Sequence, residues 1–481
     1  MSQKTYILVL ITLLAAAVVV NSAAFRGSTY EQLDLMVDVR HEIVSEYVEV
    51  PDEKKMVDAA VRAMVESLGD PYTVYIAPEE MAMFDKAIRG TFFGIGAEID
   101  IHENFLRIVT PLEDSPAWKA GVLAGDIVLE IDGKSTEGIT SAEAISQLTG
   151  EEGTPVTIKV RHVTGKEATI TIKRGRIVVP TVKGAWRKDD GHWDYMLDEK
   201  NKIGLIRLTQ FTEDTTDRMR SAIDELQKQG VKGVILDLRF DPGGLLDAAV
   251  NVSDMFLGGG KTIVSIRGRT QRDRNFTSTD DASDIKDLPM IVMINESSAS
   301  ASEIVSGALK DNNRAIVLGT RSFGKGSVQQ VKMLEANHAA LKITNALYYL
   351  PSGRNIHRKD DSKVWGVDPN DGFFVPMTND EMLTMLESRR EISLAGDVKP
   401  GAAVTVSPKW IVDTYKDGQL AAAVEAMTGK IKTGDWPKVG KAAGEVMAQA
   451  NELDRLQKAR AELATRLEEI DNRIEKIQKG E

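Results

Sequence analysis

A chain of 481 residues is too long to bury around one core, and its length alone suggests about three domains. With 60 Lys and Arg against 72 Asp and Glu, the net charge of −12 argues against a nucleic-acid-binding protein, which would present a basic face. The absence of cysteine excludes thiol catalysis, disulfides, thiolate zinc sites and an acylated N-terminal cysteine, and the six histidines form no HExxH pair that would suggest a zinc hydrolase.

The chain opens MSQKTYILVLITLLAAAVVVNSAAF, with Lys4 before an uncharged, mostly apolar run from Tyr6 to Val20 and the small residues Ser22, Ala23 and Ala24 after it. This pattern predicts an export signal over residues 1–25, or a membrane anchor if it is not cleaved, and work outside the cytoplasm. Residues 30–89 read as helical: Leu33, Met36, Val37, Ile43, Val44 and Tyr47 fall at helical spacing, and Pro51 opens a second helix that stops at Gly69. Residues 90–175 change to strand-like pieces, AEIDI, LRIVT, DIVLEID and PVTIKVRH, with one helical stretch at SAEAISQLT, which predicts a small β-rich domain. From 176 to 395 the apolar strands KIGLIRL, VKGVILDLR, TIVSI, PMIVMIN and AIVLG are interleaved with amphipathic helices. That alternation predicts an α/β core with a mostly parallel sheet.

Residues 396–442 say little beyond a helix around DGQLAAAVEAMTG. In the tail, Leu453, Leu456, Leu463, Leu467, Ile470, Ile474 and Ile477 alternate at three and four spacing, broken only by Arg460. This predicts a coiled-coil helix over 443–479, and with it self-association or a partner helix.

Active sites of α/β folds collect where strands hand over to helices. One such handover, ESSASASEIVSGALK, places Ser297, Ser298, Ser300 and Ser302 within six positions. One serine would satisfy a helix cap, so the surplus suggests a hydroxyl held out to react. Downstream, GTRSFGKGSVQQ admits three readings. A phosphate loop would need Ser or Thr where Gly326 stands, and a helix after it. A Ser322-x-x-Lys325 pair lacks the S-D-N and K-T-G elements that accompany it in penicillin-binding proteins. The third pairs Lys325 with a serine of the cluster. A lysine acts as a base only when neutral, which at pH 7 describes roughly one free lysine in 2,500. Phe323, Gly324, Gly326 and Val328 bring no acid beside Lys325, so it is open to desolvation; on spacing alone a surface lysine beside a glycine turn is the simpler reading.

The segments LGDPYTVYIAPEE, FFGIGAEI, SPAWKAGVLAGDIVLEIDG, DLRFDPGG, SASASEI, GTRSFGKGSVQQ and YYLPSGRNI, in that order over roughly residues 30–370, resemble the C-terminal processing peptidases, or tail-specific proteases. These are exported serine proteases with a Ser–Lys dyad. The resemblance implies Ser300 as nucleophile, Lys325 as base and Gln329 as the residue that orients the lysine amine. It implies an oxyanion hole from the backbone N–H of Ala301 with that of Gly243 or Gly244. Asp241 stands where the family often has Asn, which would put a negative charge near the site. The β-rich domain resembles a PDZ domain, with Phe93, Gly94, Ile95 and Gly96 as its carboxylate-binding loop.

The resemblance further implies protein or peptide substrates with accessible C-termini, a periplasmic or cell-envelope location, and no metal or cofactor. The N-terminal helices and coiled coil would serve a homo-oligomer or an adaptor. A rival reading is an inactive scaffold that binds tails through PDZ and coiled coil, and another is a Ser–His–Asp hydrolase using His338 or His357.

Overall fold

In the computed structural model the described residues are 31–81, 84, 91–102, 104–112, 115–123, 125–162, 165–178, 181–188, 192–280, 285–335, 337–359, 362–394, 406–442 and eight positions between 456 and 473. The expected export segment lies outside them, as does most of the expected coiled coil; Leu456, Leu463, Leu467 and Ile470 are helical and exposed. Among the described residues no helix is long and apolar enough to cross a membrane.

The chain divides into two units, residues 1–78 with 331–343, and the remainder. In the first, helix α1 (Glu31–Glu46) leaves Leu35, Val37 and Val39 exposed. Helix α2 (Glu53–Glu66) starts where the Asp52 carboxylate accepts the Lys55 N–H at 3.1 Å. Beyond its two helices, the helical N-terminal region also holds a strand, β1 (Val74–Ile76), paired antiparallel with residues 340–342. Its Tyr75 is buried, donating to Asp58 at 3.0 Å and accepting from Asn337 at 2.8 Å.

In the second unit, residues 97–173 form an antiparallel six-stranded sheet around Leu106, Ile108, Val128, Ile158 and Val160, the small β domain expected from the sequence. The larger core follows. Strands β2 (Ile203–Leu208), β3 (Gly233–Asp237), β5 (Met290–Ile294) and β6 (Ile316–Gly319) lie side by side and parallel, linked by helices α3 (Thr215–Lys228), α4 (Leu246–Asp254) and α5 (Ala301–Asp311). Strand β4 (Thr262–Arg267) leaves this sheet. It pairs antiparallel with Arg274–Thr277 and with β8 (Ala339–Tyr349), itself the partner of β7 (Ser327–Leu334).

The expectation of an α/β core with a mostly parallel sheet describes the four central strands and is corrected for TIVSI, which enters a second, antiparallel sheet. The apolar run TIVSI does not encode pairing direction; the short polar return after it makes a hairpin, whereas a parallel neighbour needs a crossover.

Period-two alternation explains how the parallel sheet is covered. The row Ile206, Leu236, Val292 and Val317 belongs to the cluster that includes Ile223 of α3, Val252 of α4 and Val305 of α5. The adjacent row Leu205, Ile235 and Ile291 packs with helices α7 (Pro408–Tyr415) and α8 (Gly418–Thr433) through Ile411, Leu420, Val424 and Met427. Residues 406–442, read from sequence as an uninformative extension, thus supply the second helical layer of the core, joined by α6 (Asn379–Leu394). Each such Leu or Ile buried contributes about 1.5–3 kcal/mol by removing apolar surface from water.

Candidate active site

Strand β5 is buried at every position and gives way at Asn295 to polar side chains that take over from the sheet ladder. Asn295 Oδ1 accepts the N–H of Phe240 at 3.0 Å and of Ser297 at 3.2 Å. The Ser298 hydroxyl donates to the Leu238 carbonyl at 2.8 Å, and the Ser302 hydroxyl to the Asp241 carbonyl at 3.0 Å. The flanking serines are therefore spent in tying this turn to the loop after β3. Ser300 differs: at the start of α5 it has φ 54° and ψ −110°. A positive φ in a residue with a side chain costs about 1–3 kcal/mol, and it recurs at strand-to-helix turns that hold a nucleophile out of the fold.

One buried carboxylate joins this turn to the lysine loop. Glu303 Oε2 accepts the backbone N–H of Ser300 and of Lys325, each at 2.8 Å, while Oε1 accepts the Ser322 hydroxyl at 2.6 Å and the Gly324 N–H at 2.7 Å. Burial pushes the Glu303 pKa up, and these four donors oppose it. From the other side, the Tyr348 hydroxyl shares its one proton between the carbonyl oxygens of Ser300, at 3.1 Å, and Lys325. The segments carrying Ser300 and Lys325 are thus pinned together at both their N–H and their C=O groups.

Lys325 has no acid beside it in sequence, yet an acid reaches its backbone across the fold. Ser322, the alternative partner for a lysine, is buried and has its hydroxyl committed to Glu303 and to the Val367 N–H at 2.6 Å. After Gly326 the chain enters strand β7, so the phosphate-loop reading loses the helix it needs. Gln329 lies on β7 and donates Nε2 to Ser327 Oγ at 2.9 Å and to Thr344 Oγ1 at 3.1 Å.

The glycine loop after β3 touches the serine directly. At Gly243, φ 94°, an added Cβ would stand 2.8 Å from Ser300 Cβ and 2.8 Å from the Ala301 nitrogen, so only glycine lets the chain lie this close. The Gly243 N–H is committed to Asp241 Oδ1 at 2.8 Å. Among the described residues, the N–H groups of Gly244 and Ala301 donate no hydrogen bond. Asp241 is fully buried with Oδ2 unpartnered, and burial pushes its pKa well above the usual carboxylate range. The negative charge expected here is opposed by its surroundings, since burial with no ion pair to Asp241 favours the neutral form.

In the β domain Gly94 ends strand Thr91–Gly94, and Phe93 is partly exposed at 42%. Ile95 is buried, its carbonyl accepting the Ala117 N–H at 2.7 Å. Gly96 has φ 73°, and a Cβ there would stand 2.4 Å from Ser115 Cβ. The loop is thus seated on the short helix Pro116–Lys119 rather than forming a free hairpin bend. His338 sits in the turn between β7 and β8, and the backbone of His357 packs on Gly326.

Peptidase family S41 matches residues 202–371, the PDZ domain family matches 107–162, and the N-terminal domain of the activating protease CtpB matches 13–80. A carboxy-terminal-processing protease of Bartonella bacilliformis is 38% identical over 428 residues, which cover 85% of this chain and 91% of that one. The chain belongs to peptidase family S41. Within it, the carboxy-terminal processing protease CtpA of Bacillus subtilis is 33% identical over 70% of this chain and 69% of its own. Among solved structures, the photosystem II D1 C-terminal processing protease is 28% identical with a TM-score of 0.42, over 78% of this chain and 94% of that chain. This S41 chain is a serine-type peptidase with a PDZ domain.

Two groups that hold Ser300 and Lys325 together were not marked by the sequence for that role. Glu303 stands three residues after Ser300, the capping-box spacing, and was legible as far as its role at the helix start. Tyr348 carried no local signal, because its role depends on β8 passing both Ser300 and Lys325.

Proposed function

We propose that this peptidase cleaves exported proteins near their C-termini with a Ser300–Lys325 dyad. The observation that carries this reading is the double pinning of Ser300 and Lys325, whose N–H groups share one carboxylate oxygen of Glu303 and whose carbonyls share the Tyr348 hydroxyl. Ser300 Oγ attacks the scissile carbonyl, and Lys325 Nζ takes its proton and returns it to the leaving amine. Water then enters by the same route to release the acyl group. Gln329 Oε1 accepts from the lysine amine without adding a charge that would favour its protonated form.

The developing oxyanion is received by the N–H groups of Ala301 and Gly244, the pair left undonated, while Gly243 is held by Asp241. The loop Phe93–Gly96 receives the substrate's terminal carboxylate on backbone N–H groups, with the peptide added as a strand. Tethering that module to the protease raises the local concentration of bound chains. The apolar N-terminal run supports export to the cell envelope, and the exposed apolar residues of α1 support self-association.

The test is degradation of an unfolded protein with an apolar C-terminus by full-length wild type, Ser300→Ala and Lys325→Ala. Both variants are expected to fall to background. Undiminished cleavage by Ser300→Ala would instead favour the tail-binding scaffold for this chain, with the proteolysis due to a contaminant.

A further inference from the structure

The mechanism above makes no use of the chain after residue 371, where the S41 match ends. Yet α8 begins at a residue that grips the base of the oxyanion loop. Asp417 caps α8, its Oδ1 accepting the Leu420 N–H at 2.9 Å. The same carboxylate takes two hydrogen bonds from Arg239, Nη1 to Oδ1 at 2.9 Å and Nη2 to Oδ2 at 2.8 Å. Arg239 also gives Nε and Nη2 to Asp237, both at 2.8 Å, and Nη1 to Gln419 Oε1 at 2.9 Å. All five guanidinium hydrogens are thereby used. Arg389 of α6 bridges the two carboxylates, with Nη2 at 2.8 Å from Asp237 Oδ2 and 2.9 Å from Asp417 Oδ2. Burial opposes both carboxylate charges, but the two guanidiniums hold Asp237 and Asp417 below the ordinary range.

Arg239 runs straight into Phe240, whose φ is 64°, and then into Asp241 and Gly243 against Ser300. A strained residue persists only where the chain on both sides is held. The downstream side is held by Asn295, Ala299 and Ser302. The upstream side is held by β3 and by the Arg239 side chain, and three of that side chain's five hydrogen bonds end on α8 residues or their cap.

We infer that the C-terminal helices are a working part of the peptidase site: Asp417 and Gln419, by completing the guanidinium of Arg239, are positioning residues for the 240–244 turn that faces the nucleophile. The inference rests on the Ser300–Lys325 reading. A loosened turn would bind substrate as before but present its amide poorly to the transition state, so the loss belongs in kcat and not in KM.

Steady-state kinetics of the full-length protein on a short peptide with an apolar C-terminus test this, each variant assayed well below its own melting temperature. Asp417→Asn is expected to lose at least tenfold in kcat with KM within about twofold. Gln419→Ala, which changes no charge, is expected to lose kcat severalfold, and Asp417→Glu to recover part of the Asp417→Asn loss. Lys438→Ala, which breaks an exposed pair with Asp371 in the same segment, should retain wild-type kcat. Losses confined to melting temperature or to KM would overturn the inference, and Gln419→Ala decides alone if Asp417→Asn does not fold. Ser300→Ala run alongside separates the two claims: activity in that variant sinks the dyad, whereas an inactive Ser300→Ala with wild-type kcat in both α8 variants sinks only the positioning role.

Discussion

Two buried acidic clusters flank the loop between β3 and α4, and the fold satisfies them in opposite ways. Behind the loop, Asp237 and Asp417 meet the guanidiniums of Arg239 and Arg389 and are held ionised. In front of it, Asp241 and Glu303 meet only N–H and O–H donors, and burial pushes both toward the neutral form. The difference shows where full charge is tolerated. A guanidinium can stabilise a scaffold carboxylate at any strength, whereas under the proposed mechanism a fixed charge beside Lys325 would shift the proton balance that mechanism needs. Neutral donors hold the segments carrying Ser300 and Lys325 without adding a full charge beside either.

The comparison is broken most severely by Arg389→Met. Asp237 and Asp417 would then share only the Arg239 guanidinium within hydrogen-bond distance, with the buried Arg207 acting on Asp237 through space, and removing one partner of a buried ion cluster typically costs about 3–5 kcal/mol. Urea unfolding at pH 7 should show a loss of that size, and a loss below about 1 kcal/mol would mean that Arg389 is dispensable to the cluster. The sign with pH follows: the lowered carboxylate pKa values give stability that is present above about pH 4 and lost as pH falls through the folded values, about 2 for Asp237. Arg389→Met removes part of that lowering and should begin acid unfolding at a higher pH.

Glu303→Gln is the next largest. The amide nitrogen would face two of the four donors now on the carboxylate, and each buried N–H left unmade costs about 1–3 kcal/mol. A fall in kcat/KM of about a hundredfold, roughly 2.7 kcal/mol, is expected with near-UV circular dichroism retained. Activity within a few fold of wild type would show that the four-way hydrogen bonding does not position the dyad.

Asp241→Asn sharpens the comparison with the smallest effect. The folded pKa of Asp241 is raised, so its contribution is fully present below the unfolded value and is lost as pH rises toward the folded one. Over that window wild-type stability falls by at most about 1.4 kcal/mol per pH unit on account of this group. Asn has no proton to release, so the variant's stability curve should be flatter there. Superimposable curves for the two proteins would show that Asp241 is ionised in the folded state.

Much of the fold was legible because its signals are local. The four central parallel strands appear in sequence as unbroken apolar runs, α2 as a proline start with a glycine stop, and the β domain as short alternating pieces. The antiparallel pairing of β4 and the place of α7 and α8 were not legible, since an apolar run does not encode pairing direction and the strands those helices cover lie far away along the chain. At the site, the serine cluster and the glycine-flanked lysine marked themselves by residue type. Their linkage did not, and nor did the upward push on the Asp241 pKa, which depends on burial and on what surrounds its second oxygen.

By itself the amino-acid order determined the helical and strand periods, the export-like start, the absence of thiol chemistry and the candidate serine and lysine, because each depends on spacing over a few residues or on composition. Only the tertiary structure decided that one glutamate and one tyrosine hold Ser300 and Lys325 together, and that Asp417 closes on Arg239 from 178 positions away. Hydrogen bonds and ion pairs act over about 3 Å of space whatever the separation along the chain, so their partners are chosen by packing.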